Sequence, residues 1–205
     1  MESQNYHHIS LNYLRHALER DLDLLAKALP GSVSGGEVTF RAFGHSCRIS
    51  REGVFLGGRL DKGPRAIIIS IYALNVPEET VTYTTSWTSF RELPGTMPYW
   101  GPFRKNVEEP LLPYVPTIHH ESTRICETLD GYLTDDAPGD FAMVLFPLPK
   151  VPLLYVFSLP DEEFPAEAKC LYAKGSTAFM PVDVLADLAE HTSRRIVEII
   201  SGEKK

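Results

Sequence analysis

The sequence predicts an α+β domain built on a mostly antiparallel sheet, and three observations predict it. Leucines spaced three and four apart mark a helix near the N-terminus, and a similar apolar pattern closes the chain. Between them lie short stretches of β-branched and aromatic residues, bounded by glycine and proline. The links between those stretches are too short for parallel crossovers, which need a dozen or more residues. Helix, sheet, helix, sheet and helix then segregate over residues 1–205 as one α+β domain, with one or two internal helices beside the terminal ones.

Residues 1–30 hold the first helix. Within 9–29, Leu11, Leu14, Leu18, Leu22, Leu25 and Leu29 share one face, and Leu29-Pro30-Gly31 ends the run. Gly31 to Gly36 reads as a loop. Residues 37–90 form a meander half. Val38, Phe40 and Ala42 alternate with polar neighbours, and Gly44-His45 makes a two-residue turn with glycine first. Ser46–Ser50 returns, Arg51-Glu52-Gly53 turns again, and Val54–Leu56 is a third strand. Ala66–Asn75 suits a strand by its isoleucines, but Ile67, Ile68, Ile71, Tyr72 and Leu74 also fit a buried helical face, and the helix is preferred. Thr82–Phe90 is a strand with Tyr83, Thr85 and Trp87 on one face.

Residues 91–116 are a connection dominated by glycine and proline, and a link of that length in a compact domain is usually functional. Residues 117–205 complete the domain. Thr117–Leu129 is a helix capped by Thr117 and stopped at Gly131. Phe141–Phe146 and Leu153–Leu159 are buried strands, antiparallel because their connection is short, and Ala168–Tyr172 adds another. Pro181 opens the last helix, with Leu185, Leu188, Thr192, Ile196 and Ile199 inward and Gly202 at its end.

Composition narrows the function. A net charge of −7 leaves no basic surplus to replace phosphate counterions, which excludes nucleic acid as a partner. Three scattered cysteines make neither a disulfide framework nor a paired-cysteine metal site, so a reducing cytoplasm is expected. No apolar run is long enough to span a membrane as a helix, and no secretory leader is expected at the N-terminus.

No motif names a reaction or a cofactor. The most informative run is Pro160-Asp161-Glu162-Glu163-Phe164-Pro165-Ala166, three acids framed by prolines at the exit of the most apolar stretch. Adjacent carboxylates raise one pKa and so prepare a general acid and base, or bind a hard cation, or else they cap a solvated turn. Arg91-Glu92 before Pro94-Gly95 offers a guanidinium to an anion, or closes a salt bridge. His119, His120 and Cys126 carry metal-ligand atoms, but neighbouring helical residues point about 100° apart. His45 and Cys47 make half a metal site on one strand face, with no second half nearby in sequence. The acidic loop Thr134–Asp140 lacks the spacing of a calcium loop and reads as a turn into the next strand.

Several motifs in order resemble the domain of unknown function 3786 family of anaerobic bacteria and archaea. They are Phe90–Gly95, Gly139-Asp140, Pro147–Leu153, Asp161–Ala168 and Met180–Asp183. The resemblance implies no assigned activity, so no catalytic role transfers to any residue. Some members are joined to a cysteine-rich iron–sulfur segment, a pattern these three isolated cysteines do not follow. The resemblance implies an accessory role in anaerobic metabolism.

The expected function is a module that binds a small molecule or cofactor. Its site would lie where the Arg91–Gly95 turn meets the Asp161–Glu163 loop, drawing on Glu92 and Glu162 and lined by Phe90, Tyr99, Trp100 and Phe164. Two alternatives stand beside it: a hydrolytic enzyme using Asp161, Glu162 or Glu163 as acid and base, and a docking subunit for a protein partner. The cofactor and the oligomeric state stay open.

Overall fold

The computed structural model describes residues 2–78 and 86–202. Its strands form two five-stranded antiparallel sheets rather than one, the first in chain order over residues 32–61 and the second in the order Trp87–Ser89, Glu167–Ala173, Val151–Ser158, Phe141–Leu148, Tyr132–Thr134.

The N-terminal leucine pattern is carried by two helices, α1 (Glu2–Ala17) and α2 (Leu22–Ala28). The expected single helix breaks because Asp21 leaves helical geometry and its carboxylate accepts the Leu24 N–H at 3.0 Å, capping α2. The first sheet is a meander of β1 (Ser32–Ser34), β2 (Glu37–Ala42), β3 (His45–Ser50), β4 (Gly53–Leu56) and β5 (Arg59–Asp61). Residues 31–36 are therefore a hairpin rather than only a loop, and β5 was not anticipated. The β2–β3 turn falls on Phe43-Gly44, not Gly44-His45, because His45 already pairs with Ala42. Phe43 and Gly44 both take positive φ, 50° and 76°, the pattern of a type I′ turn matched to strand twist.

α3 (Pro64–Asn75) confirms the helical reading of the isoleucine run; of the expected face Ile68, Ile71 and Tyr72 are buried, Ile67 and Leu74 are only half-buried, and Ile69 and Ala73 are buried as well. Its last carbonyls accept from Arg20, which reaches Ala73 O at 3.1 Å, Leu74 O at 3.3 Å and Val76 O at 3.1 Å. Of the expected strand 82–90, residues 82–85 lie outside the described residues, and β6 spans Trp87–Ser89. The proline-rich connection is largely helical. Short 3₁₀ turns at Phe90–Glu92 and Met97–Tyr99 lead into α4 (Trp100–Phe103), a π-helical turn at Arg104–Glu108 and a 3₁₀ run at Glu109–Tyr114. Prolines sit in the first turn of several of these segments, where a missing N–H costs nothing.

The expected helix 117–129 starts earlier and kinks at Glu121, giving α5 (Val115–His120) and α6 (Ser122–Thr128), so Thr117 lies inside a helix and caps nothing. β7 (Tyr132–Thr134), β8 (Phe141–Leu148), β9 (Val151–Ser158) and β10 (Glu167–Ala173) complete the second sheet. β8 and β9 are buried on both faces. Met143, Leu145, Tyr155 and Phe157 join the main core, while Ala142, Val144, Leu154 and Val156 form a small cluster on the other side, which explains their unbroken apolar sequence. Where β6 leaves β10, Glu108 accepts the Cys170 N–H at 3.1 Å, and burial pushes its carboxyl up. α7 (Val182–Ser201) has Pro181 as its N-cap residue and buries the five residues expected of it, ending at Gly202 with φ 70°.

One contiguous set of buried side chains runs from Leu14 on α1 through both sheets to Ile199 on α7. The β2–β3 turn couples the two sheets directly. Phe43 is buried and donates its N–H to Pro147 O at 2.7 Å, and Gly44 lies against the Thr128 carbonyl.

Candidate functional site

The residues singled out from the sequence occupy two exposed turns and one aromatic stack. Glu92 accepts the Ser89 N–H at 3.1 Å and the Thr88 hydroxyl at 2.9 Å, closing a capping box with Ser89 that holds its carboxyl below the usual range. Arg91 is exposed and makes no side-chain hydrogen bond or ion pair to a described residue. The rings of Trp100 and Phe103 lie 6.4 Å apart, those of Phe103 and Phe90 4.2 Å, and those of Phe90 and Tyr172 5.9 Å. Trp100 is thus the outer end of a core stack, and Tyr99 lies exposed beside it.

Asp161, Glu162, Glu163 and Phe164 are all exposed. Asp161 Oδ1 accepts the N–H groups of Phe164 at 2.7 Å and Glu163 at 2.8 Å, and its own N–H donates to Phe164 O at 3.0 Å. The two backbone donors, Phe164 first, pull its carboxyl below the ordinary aspartate value. A carboxyl stabilised in its charged form is the reverse of a general acid, so the run behaves as a solvated, self-capped turn. No hydrogen bond or ion pair joins it to the Arg91 turn among the described residues. Ser89 pairs with Leu171, whereas the Asp161 loop lies beyond Glu167 at the other end of β10. Four strand steps, about 13 Å, separate those two levels.

Asp140 is likewise structural: it accepts the Leu159 N–H at 2.6 Å, and its own N–H donates to Phe157 O at 2.8 Å. His119 packs on Phe141 with ring centroids 4.7 Å apart, while His120 and Arg124 meet Glu121. Among the described residues no three His, Cys, Asp or Glu side chains converge closely enough to hold a metal ion. Burial raises the Cys47 thiol far above its ordinary value, so it stays a neutral core group rather than a thiolate ligand.

The structure brings together two other sets of residues. The first is a groove between α1 and one end of the meander, about 470 Å³ in volume. Leu11, Leu14 and Leu18 supply its apolar wall, and His8, Arg15, Glu19 and Arg51 stand around it. A second concavity of about 380 Å³ continues past Leu18 and Arg51 to Leu22 and the turns at Gly35-Gly36 and Glu52. The leucine periodicity was legible in the sequence, but as a core face; only the packing of α1 leaves part of it uncovered. The cationic side chains come from α1 and from the β3–β4 turn, a pairing that no local spacing signals.

The second set lies among the meander, α3 and α7. His45 sits on β3, Asp61 on β5, Arg65 on α3, and His191, Arg195 and Glu198 on α7. Arg65 Nε is 3.3 Å from Asp61, and Arg195 donates to Glu198 at 3.1 Å. Burial lowers the pKa of both imidazoles, and nearby guanidiniums add to it, Arg195 and Arg65 at His45, Arg194 and Arg65 at His191. His45 alone stood out in the sequence. The spacings of Asp61 with Arg65 and of His191 with Arg195, four residues each, put these pairs on single helical or turn faces, and that is the signal that was available.

The class that the structure defines is an antiparallel α+β protein with a partly uncovered apolar helix face. The chain belongs to the family described as domain of unknown function (DUF3786), whose model matches residues 21–195. No curated protein and no solved structure is similar enough to match. α1 precedes the matched residues, so the groove combines a family element, the meander, with a helix outside the match. No described helix is long and apolar enough to cross a membrane.

Proposed function

We propose that the protein is a binding module for a small amphiphilic anion, taken up in the groove between α1 and the β3–β4 turn. One observation carries the reading: a concavity of about 470 Å³ whose apolar wall is Leu11, Leu14 and Leu18 has Arg15 and Arg51 beside it. An apolar wall with a few convergent charges suits an aliphatic chain ending in a carboxylate or similar head. A tail that buries about 200 Å² of apolar surface gains roughly 5 kcal/mol before the cost of association, which sets the expected affinity on the millimolar scale. The accessory role in anaerobic metabolism expected from the family resemblance is part of this proposal and rests on that resemblance. The hydrolytic alternative has the less support, because Asp161, Glu162 and Glu163 are exposed and Asp161 is shifted downward.

The test uses dodecanoate as the probe and amide chemical shifts as the readout. Saturable shifts confined to α1 and residues 50–53, weakened at least tenfold in R51E and abolished in L18D, are the expected result. Shifts scattered over the surface, or an affinity indifferent to R51E, would sink the reading.

A further inference from the structure

The groove beside α1 does not end at Arg51. Its first part, about 470 Å³, and the second concavity, about 380 Å³, share Leu18 and Arg51 in their walls. The two parts differ in chemistry. Leu11, Leu14 and Leu18 wall the first along about 10 Å of α1, at 1.5 Å per residue. The second is lined by Glu37, Ser50, Glu52 and the Gly35-Gly36 turn, with Leu22 beside them. Arg51 and Glu52 are the two residues between Ser50 and Gly53, which pair across the β3–β4 hairpin. Both are exposed, and neither side chain has a hydrogen bond or ion pair to a described residue. The other charges of the groove are engaged: Glu37 with Arg48, Glu19 with His16, and Arg15 with Asn12. The turn itself is fixed in place. Glu52 N–H donates to Ser50 Oγ at 3.2 Å, and Gly53 lies so close to α1 that a Cβ there would stand 3.1 Å from His7 Cε1.

Resting on the amphiphilic-anion reading of this groove, we propose that its ligand is a single-chain zwitterion whose anionic group stands between the tail and a cationic group. The tail lies on Leu11 and Leu14, the anion meets Arg51 where the two parts join, and the cation extends into the second part toward Glu52. Two adjacent residues of one turn thus set a charge order along the groove, Arg51 lining both parts and Glu52 only the second. A ligand of matching order satisfies both charges. One of reversed order puts its cation at Arg51 and its anion beside Glu52, and like charges so placed disfavour it. No aromatic side chain lines the second part among the described residues, so a carboxylate rather than an aromatic cage receives the cation. Glu52 is that carboxylate, because Arg48 already holds Glu37.

Two decyl amphiphiles of opposite charge order provide the test. Decylphosphocholine carries its phosphate next to the tail and its cation outermost, whereas decyl sulfobetaine carries the ammonium next to the tail and the sulfonate outermost. Decanoate, with an anion alone, probes the underlying groove reading. Amide shifts of the full chain are followed with each compound below its micelle concentration. Decanoate and decylphosphocholine are expected to shift α1 and residues 50–53, and decylphosphocholine alone to shift Gly35 and Gly36 as well. Decylphosphocholine is expected to bind about fivefold tighter than the sulfobetaine, the upper range of one exposed charge pair. E52K is expected to weaken decylphosphocholine about threefold and to strengthen decanoate, because the new cation joins Arg51. Absence of saturable decanoate shifts on α1 would overturn the groove reading and this inference together. Saturable decanoate binding with equal affinity for the two zwitterions overturns the charge order alone, as does an E52K variant that moves decanoate and decylphosphocholine in the same direction.

Discussion

Gly44 and Gly58 show how one residue type plays two roles. Both hold positive φ, 76° and 79°, but a Cβ on Gly44 would stand 2.4 Å from the Thr128 carbonyl oxygen, whereas Gly58 faces open space. G58A should therefore cost only the left-handed strain, about 1 kcal/mol, and G44A more than about 2 kcal/mol, because the hairpin tip must move. Urea unfolding of the two variants checks the order, and equal costs would refute it. Charged residues divide in the same way. Asp187 is pushed up to about 6, first by burial and then by Glu190 and Asp183. Its folded value exceeds the unfolded one, so the neutral form favours folding below about pH 4 and that benefit is lost as the pH rises through 6. D187N should stabilise the protein at pH 7.5, by less than about 1 kcal/mol given solvent screening, and leave it unchanged at pH 3.5. Asp161 runs the other way. Its depressed value makes the charged form favour folding above the ordinary aspartate range, so D161N removes a stabilising contribution present at neutral pH and lost in acid. A carboxyl-carbon titration midpoint for Asp161 at or above 3.8 would contradict this.

At the scale of elements, sequence patterns located most of the helices and strands but misplaced their ends. The first leucine run covers α1 and α2, yet the break at Asp21 depends on a cap competing with the helix, which periodicity does not weigh. Arg20, just before that cap, is drawn to the end of α3 and satisfies three carbonyls that the helix leaves open. R20A should lower the stability by about 2 kcal/mol, and R20K should recover only part of it, because one ammonium cannot span the same carbonyls. Thermal melts of the two variants decide this. The 91–116 connection was read as an irregular link from its glycines and prolines, but proline is compatible with the first turn of a helix, and a series of short helical turns uses it there. The candidate-site aromatics were legible as aromatics, not as partners. Phe90 and Trp100 belong to one stack because Phe103 on α4 stands between them, with Tyr172 of β10 packed against Phe90 and Phe103.

For the whole molecule, the coupling of the two sheets is the central fact. The Phe43-Gly44 turn meets Pro147 on β8 and the end of α6, and Arg41 beside it pairs with Asp130, both carboxylate oxygens lying 2.8 Å from Nε. With one contiguous core, the chain should unfold in a single cooperative transition by fluorescence and circular dichroism. F43A, which removes a fully buried ring at this joint, should cost about 3–4 kcal/mol and separate the two signals. Coincident transitions in F43A would show that the joint is not where the sheets are coupled. By itself the sequence determined the α+β class, the helical state of α3, the buried face of α7, the β8–β9 hairpin and the family resemblance, because each is written in local periodicity or in a run of adjacent residues. Only the tertiary structure decided that there are two sheets, that the acidic turn at Asp161 caps itself, and that α1 leaves a groove open. It alone brought Arg51 to the groove walled by Leu11, Leu14 and Leu18, since those residues are separated by long stretches of chain and meet through packing that no local pattern encodes.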